Sequence, residues 1–251
     1  MVDYTNSKPD REEHLLLKGI DTEMKKVLKD NKAFIAGGAI TSVFSGAAIR
    51  DYDVYCKTSV GADVIKGYLY KDMYESVNNT SFIIETDCAA TYKRNGMTYQ
   101  IIKMPEMIGE PENVIKKFDF TICQGAYDFE FNDFCVSLNF LKHLAQRRLV
   151  FNVDSGYPIC ALFRVRKFMH RGFKLPGVEA LKIGLRIEKL HMQTLGDLRK
   201  QMMGIDTLFM KELTDALNEP ERSEQQYDFN KAMQLIEEHL ARMYNEEEES
   251  L

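Results

Sequence analysis

The sequence has no tryptophan, and only six prolines and five cysteines in 251 residues. Its aromatic content therefore rests on 12 tyrosines and 15 phenylalanines. Rings of this kind can stack on bases, but most of these sit at core spacing. The cysteines (Cys56, Cys88, Cys123, Cys135, Cys160) are odd in number and widely separated, with no C-x-x-C pair. That argues against a disulfide framework and a structural zinc site, and it reads as buried thiols. Long hydrophobic runs are also missing. No stretch approaches the roughly 18 apolar residues of a membrane span. The opening residues, MVDYTNSKPDREEH, hold no apolar run of signal-peptide type. The expectation is a soluble, cytoplasmic protein with no membrane partner. An excess of positive charge is absent too. The net charge is −5, which argues against a broad DNA-coating surface, though not against a local basic groove. Glu246 to Glu249 contribute four of those negative charges, so without them the balance is −5 + 4 = −1. The histidines (His14, His143, His170, His191, His239) and Met202-Met203 show no ligand spacing and read as structural or exposed.

The apolar fraction of 45% is that of an ordinary globular protein. Asp10 to Asp30 reads as one amphipathic helix, with Leu16, Ile20, Met24, Val27 and Leu28 on a face. Ala33 to Ala36 reads as a buried strand that ends in the Gly37-Gly38 turn. A short helix, Ala39 to Phe44, and a strand, Asp51 to Cys56, follow. Val60 to Val77 reads as a helix. Phe82 to Glu85, Cys88 to Lys93 and Thr98 to Met104 read as strands, the last two joined through an Asn95-Gly96 hairpin turn. Phe120 to Tyr127 reads as a further strand and Ser137 to Gln146 as a helix. After about Asp154 only helical periodicity remains: Pro158 to Arg171, Val178 to Met192, Ile205 to Leu217 and Glu224 to Tyr244, with breaks at Pro176-Gly177 and Asn218-Glu219-Pro220. The expected class is α+β. Residues 1–154 would form a head with a mixed or antiparallel sheet flanked by helices. Residues 155–251 would form an all-helical region ending in the acidic tail.

The chemistry centres on Asp51 and Asp53. On a strand, residues i and i+2 face the same way, roughly 6–7 Å apart at about 3.3 Å per residue. Two carboxylates this close repel each other, and a divalent cation relieves the repulsion. Mg²⁺ favours hard carboxylate oxygens and completes its shell with water and substrate phosphates. Two such ions can clamp the attacking and leaving oxygens of a phosphoryl displacement. Upstream, Gly37 and Gly38 let the backbone approach a phosphate, and the first N–H groups of the following helix favour an anion. Ser42 and Ser45 could add hydroxyl donors. The pattern thus places a phosphate cradle beside a metal site.

The run FIAGGAITSVFSGAAIRDYDVY resembles the signature of the DNA polymerase β-like nucleotidyltransferase superfamily. Asp119-Phe120-Thr121-Ile122 with Ala126-Tyr127-Asp128 is similar to the R-R-D-F-T-I-N-A-x-A-Y-D element of CCA-adding enzymes and bacterial poly(A) polymerases. The run from Leu162 to Phe168, through Gly172-Phe173, resembles the helix that opens the neck of those enzymes. The resemblance covers about Phe34 to Phe173. It implies that Asp51 and Asp53 hold two Mg²⁺ ions, that Gly37, Gly38 and Ser42 hold phosphates, that Asp119 and Thr121 shape the nucleotide pocket, and that Arg164 and Arg166 read the base. It implies transfer of a nucleoside monophosphate from an NTP, ATP or CTP favoured, to a hydroxyl acceptor, with an RNA 3′ end the favoured one. tRNA processing belongs to that family.

This chain departs from the pattern in several places. Thr41-Ser42 stands where the family has Arg-Asp, Lys117-Phe118 where it has paired arginines, and Cys123 where it has asparagine. Many relatives outside the CCA-adding branch carry a third carboxylate on a later strand, and Gln100 sits near that position. Glu85 and Asp87 are acidic alternatives nearby. A neutral amide is a poor metal ligand. Two further readings therefore stand beside catalysis of RNA: a nucleotide- or RNA-binding or assembly module on the same fold, and transfer to a protein or small-molecule acceptor. The chain stops short of the long helical body by which CCA-adding enzymes grip a tRNA, so tRNA specificity is not expected to carry over, and a viral or mobile-element version acting in the host cytoplasm is the expectation.

Overall fold

Strand-forming runs in the first part of the chain assemble into one sheet of eight strands. The computed structural model describes residues 4–7, 9–202, 228–234 and 236–237. The strands are β1 (Tyr4–Ser7), β2 (Ala33–Ala36), β3 (Asp51–Cys56), β4 (Ser81–Glu85), β5 (Ala89–Arg94), β6 (Met97–Ile102), β7 (Gly125–Asp128) and β8 (Asp133–Ser137). They lie in the order β1-β8-β7-β2-β3-β6-β5-β4. The sheet is mixed, with β3 and β6 parallel and the remaining pairs antiparallel. The helices are α1 (Asp10–Leu17), α2 (Thr22–Asp30), α3 (Gly38–Ser45), α4 (Ser59–Tyr74), α5 (Pro111–Ile115), α6 (Leu138–Ala145), α7 (Pro158–His170), α8 (Gly177–Glu188) and α9 (Leu195–Gln201). The chain divides into two compact units, Met1–Ser155 with Gly172–Pro176, and Gly156–Arg171 with Gly177–Leu251.

Alternation along the strands gives the sheet two unlike faces. Tyr52, Val54 and Cys56 of β3, Tyr99 and Ile101 of β6, and Tyr92 and Arg94 of β5 are buried on the face that meets α1, α2 and α4. The single helix read over Asp10 to Asp30 is two helices, and this face explains the break. Tyr52 donates its hydroxyl to the Leu16 carbonyl at 2.7 Å, and Tyr99 donates to the Gly19 carbonyl at 3.5 Å. The Leu16 carbonyl in the last turn of α1 and the Gly19 carbonyl just beyond it are thus satisfied from the sheet and not by a further helical turn. A Cβ on Gly19 would sit 2.8 Å from the Tyr52 hydroxyl oxygen, so a larger residue would have to displace that hydroxyl. Asp21 then restarts the chain as the N-cap of α2, accepting from the Met24 N–H at 2.9 Å.

Arg94 locks the same layer. It is fully buried, and its guanidinium reaches Asp72 at 3.0 Å, the Tyr68 hydroxyl at 3.1 Å, Glu23 at 3.5 Å and, in a short contact, Asp21. Strand β5 is thereby tied to α2 and α4 at once.

Three other expectations differ. The run Phe120 to Tyr127 is not one strand: Thr121–Cys123 form a 3-10 turn and β7 begins only at Gly125. Strands β1 and β8 were not read from sequence. The expected helix Val178 to Met192 ends at Glu188, and α9 follows, started by a reciprocal cap between Thr194 and Asp197. The second unit has its own small core of Cys160, Leu195, Met202 and Ala232. The expected helix Ile205 to Leu217, most of Glu224 to Tyr244, and Met203, His239 and Glu246 to Glu249 lie outside the described residues. Among the described residues no helix is long and apolar enough to cross a membrane.

Candidate active site

Strand β3 carries Asp51 and Asp53 to the face opposite Tyr52, both half-buried. Beside them on that face the parallel register sets Thr98 next to Asp51 and Gln100 next to Asp53. The residue beside Asp53 on the neighbouring strand is therefore an amide and not a carboxylate. Among the described residues no group of three or more His, Cys, Asp or Glu side chains converges as a metal site. Two carboxylates on one face, with water and phosphate oxygens to complete the shell, still suit Mg²⁺, which commonly takes only one or two protein carboxylates. Glu85 belongs elsewhere: it pairs with Lys103 at 2.8 Å and Lys66 at 3.1 Å.

The glycine turn lies against this pair. Gly37 ends β2 with φ +75° and ψ −123°, a conformation that residues with a side chain rarely adopt. A Cβ there would come within 4.0 Å of Asp53 Oδ2 and 3.5 Å of the Phe118 ring. Its own N–H stays in the sheet, donating to the Gly125 carbonyl at 3.1 Å, so it is not a phosphate donor. The donors on offer are the first N–H groups of α3, which have no partner within the helix and sit at its positive end. Ser42 is buried on the second turn. Ser45 turns its hydroxyl back to the Ser42 carbonyl at 3.3 Å, which removes it as a phosphate donor.

Thr41 links the two sequence motifs. This buried residue donates its hydroxyl to the Ile122 carbonyl at 2.7 Å and lies 3.0 Å from the Gly37 carbonyl. It therefore joins the glycine turn to the Asp119-Phe120-Thr121-Ile122 element. The element is held further by Asn152, whose amide donates to the Phe118 carbonyl at 2.9 Å and whose backbone N–H donates to the Asp119 carbonyl at 2.7 Å. The Asp119 side chain accepts from the Phe120 N–H at 2.9 Å. Thr121 Oγ1 meets His143 Nδ1 at 2.8 Å. The Phe118 ring packs on Tyr55, with centroids 5.7 Å apart, and Tyr55 is two residues along β3 from Asp53. Gly37, Asp51, Asp53 and the Asp119 segment thus belong to one neighbourhood. In the sequence Thr41 reads only as a departure from the family pattern, His143 only as structural or exposed, and Asn152 is not singled out. Their roles depend on partners far along the chain, and no short motif announces them.

Lys57 steadies the far end of this face. It contacts Glu130 at 2.7 Å, Asp128 at 2.8 Å and Glu110, the N-cap of α5, at 3.1 Å. Burial opposes its charge, but hydrogen bonds to these three carboxylates outweigh that and raise its pKa. Arg164 and Arg166 lie on α7, in the second unit. Positions i and i+2 of a helix do not share a face. Accordingly Arg166 is exposed, while Arg164 is half-buried with its guanidinium 5.9 Å from the Phe168 ring.

A glycine turn on the N-terminus of a helix, set against a paired-aspartate strand in a mixed sheet, is the arrangement of a nucleotidyltransferase-like fold. Solved structures agree at the level of fold. A CCA-adding enzyme in complex with CTP superposes with a TM-score of 0.55 at 15% identity, covering 80% of this chain and 51% of that one. The Thermotoga maritima CCA-adding enzyme complexed with tRNA superposes with a TM-score of 0.53 at 14% identity, covering 86% and 55%. More particularly, residues 10–147 match the profile of the Gabija anti-defense 2 (Gad2) family, and the chain belongs to that family. A relative named Gabija anti-defense 2, from Bacillus phage SPbetaL7, is 32% identical over 212 residues. The chain spans about half of that relative, 51% of its length, with 82% of its own residues aligned.

Proposed function

We propose that this chain is a metal-dependent nucleotidyltransferase acting in phage counter-defence against the Gabija system. It would transfer a nucleoside monophosphate from an NTP, ATP or CTP favoured, to a hydroxyl acceptor, with an RNA 3′ end as the favoured acceptor. The carrying observation is the closeness of the glycine turn to the paired aspartates: a Cβ on Gly37 would lie 4.0 Å from Asp53 Oδ2, on the face Asp53 shares with Asp51. In this reading the acceptor oxygen attacks the α-phosphorus, the bond from that phosphorus to the bridging oxygen breaks, and pyrophosphate leaves. Asp51 and Asp53 would hold two Mg²⁺, whose chemistry is to lower the acceptor hydroxyl's pKa and neutralise triphosphate charge. The first N–H groups of α3 orient the phosphates. Thr41 and Asn152 keep the Asp119 segment in register with the turn. Little covalent work falls to the protein; positioning and electrostatics dominate.

The test is incubation of the protein with each labelled NTP, Mg²⁺ and total RNA, alongside Asp51→Ala and Asp53→Ala. Nucleotide addition lost in both variants supports the reading. The absence of addition with every NTP, together with unchanged nucleotide binding in both variants, refutes it. In parallel, phage carrying either variant should lose growth on a Gabija-bearing host. Gln100 beside Asp53 favours one alternative, a nucleotide- or RNA-binding module. Full counter-defence by both variants would select it.

A further inference from the structure

The sheet continues past the aspartates, and its register lays out two rows on their face. One runs Asp53, Gln100, Thr91, Ile84; the other runs Asp51, Thr98, Lys93, Ser81. The glycine turn lies on the β2 side of β3, so the triphosphate and its leaving pyrophosphate belong there. In-line displacement requires the attacking group to come from the opposite side of the phosphorus. That side is β6, β5 and β4. Beyond Asp51 and Asp53 the two rows hold hydroxyls, an amide, one apolar residue and a single cation, with no carboxylate. Neighbouring cations are committed elsewhere: Arg94 to Asp21 and Asp72, and Lys66 and Lys103 to Glu85. Lys93 is exposed and enters no ion pair among the described residues. It stands two strands from Asp51, roughly 10 Å at the usual spacing, and its flexible four-carbon stem covers much of that gap. Because Gln100 is neutral, these two rows add no carboxylate beyond Asp51 and Asp53 to repel an anion.

We propose that the β6-β5-β4 half of this face seats a polynucleotide acceptor, and that Lys93 holds a backbone phosphate next to the reacting 3′ end. The proposal rests on the nucleotidyl-transfer reading and gives its acceptor a place and a charge. A protein acceptor would have no use for a lone cation in this row.

The test measures binding of a short fluorescein-labelled single-stranded RNA with a free 3′-hydroxyl, by anisotropy in Mg²⁺, across about 50 to 200 mM salt. Lys93→Gln should weaken binding roughly 10-fold, the effect of losing one charged hydrogen bond, and flatten the slope of log K against log salt by about 0.7. Lys93→Arg should restore both, and Lys103→Gln, on the opposite face, should behave as wild type. Labelled ATP should bind Lys93→Gln and wild type equally. The proposal is overturned if wild type does not bind the RNA, if Lys93→Gln binds it as wild type does, or if Lys93→Gln loses ATP as well. Lys93-dependent RNA binding without any nucleotide addition keeps this subsite and removes the transfer reading. Nucleotide transfer to protein hydroxyls that ignores Lys93→Gln does the reverse.

Discussion

Gly37 and Gly38 are indistinguishable in the sequence, yet alanine should act on them in opposite directions. At Gly37 the added Cβ meets only ordinary contacts, 3.5 Å to Phe118 and 4.0 Å to Asp53, so steric clash is not the issue. The backbone is. With φ +75° and ψ −123°, a side-chain-bearing residue there costs about 1–3 kcal/mol, partly offset by about 0.4–1 kcal/mol from the stiffer unfolded chain. The net expectation is a loss of about 1–2 kcal/mol. At Gly38 a Cβ has open space within 4 Å and no left-handed backbone to oppose it, so alanine should gain about 0.4–1 kcal/mol by the same unfolded-state effect. The two variants should therefore differ by roughly 2 kcal/mol in urea unfolding followed by far-UV circular dichroism, with similar slopes. Gly37→Ala should also lose nucleotide transfer, because relief of the strain tilts the start of α3 away from Asp53. Equal midpoints for the two variants, or a Gly37→Ala more stable than Gly38→Ala, would refute this account of the turn.

Removing the Arg94 side chain as Arg94→Met leaves Asp72 buried beside Asp21 without its cation, and should cost about 3–5 kcal/mol in the same unfolding measurement; a cost below about 1 kcal/mol would show the cluster to be dispensable. Thr41→Val deprives the Ile122 carbonyl of its donor and should cost about 1–3 kcal/mol while raising the KM for NTP, whereas Thr41→Ser should restore both. Burial pushes the Cys56 and Cys135 thiols up to about 12, because it disfavours the thiolate. Cys123 and Cys160 are buried as well, so at pH 8 a thiol reagent should label the native protein at Cys88 alone, as read by peptide mass mapping; fast labelling at Cys56 would contradict the burial. All five should react once the chain is unfolded in urea.

Local chemistry made some of this legible in advance. The Asn95-Gly96 turn has positive φ at both residues, 50° and 83°, as a two-residue hairpin demands. The two-residue spacing of Asp51 and Asp53 set their common face, and the apolar run before Gly37 set a buried strand. Other features depended on partners that no local window contains. The α1–α2 break answers to Tyr52 and Tyr99, dozens of residues downstream. The 3-10 turn at Thr121–Cys123 is held from Thr41, 81 positions away. Strand β8 is short and runs directly into α6, so its alternation has no room to register as a pattern.

From the sequence alone came the class of site: two carboxylates on one strand face and a glycine pair before a helix, because those properties follow from backbone period and residue type. Only the tertiary structure decided which atoms face it. The parallel pairing of β3 with β6 brought Gln100, not an acid, against Asp53. The sheet took the Gly37 N–H for Gly125, and the same sheet left Lys93 in the Asp51 row. Strand register is a long-range choice, made by the burial of Tyr52, Tyr99 and Arg94 on the opposite face, and no short motif can encode it.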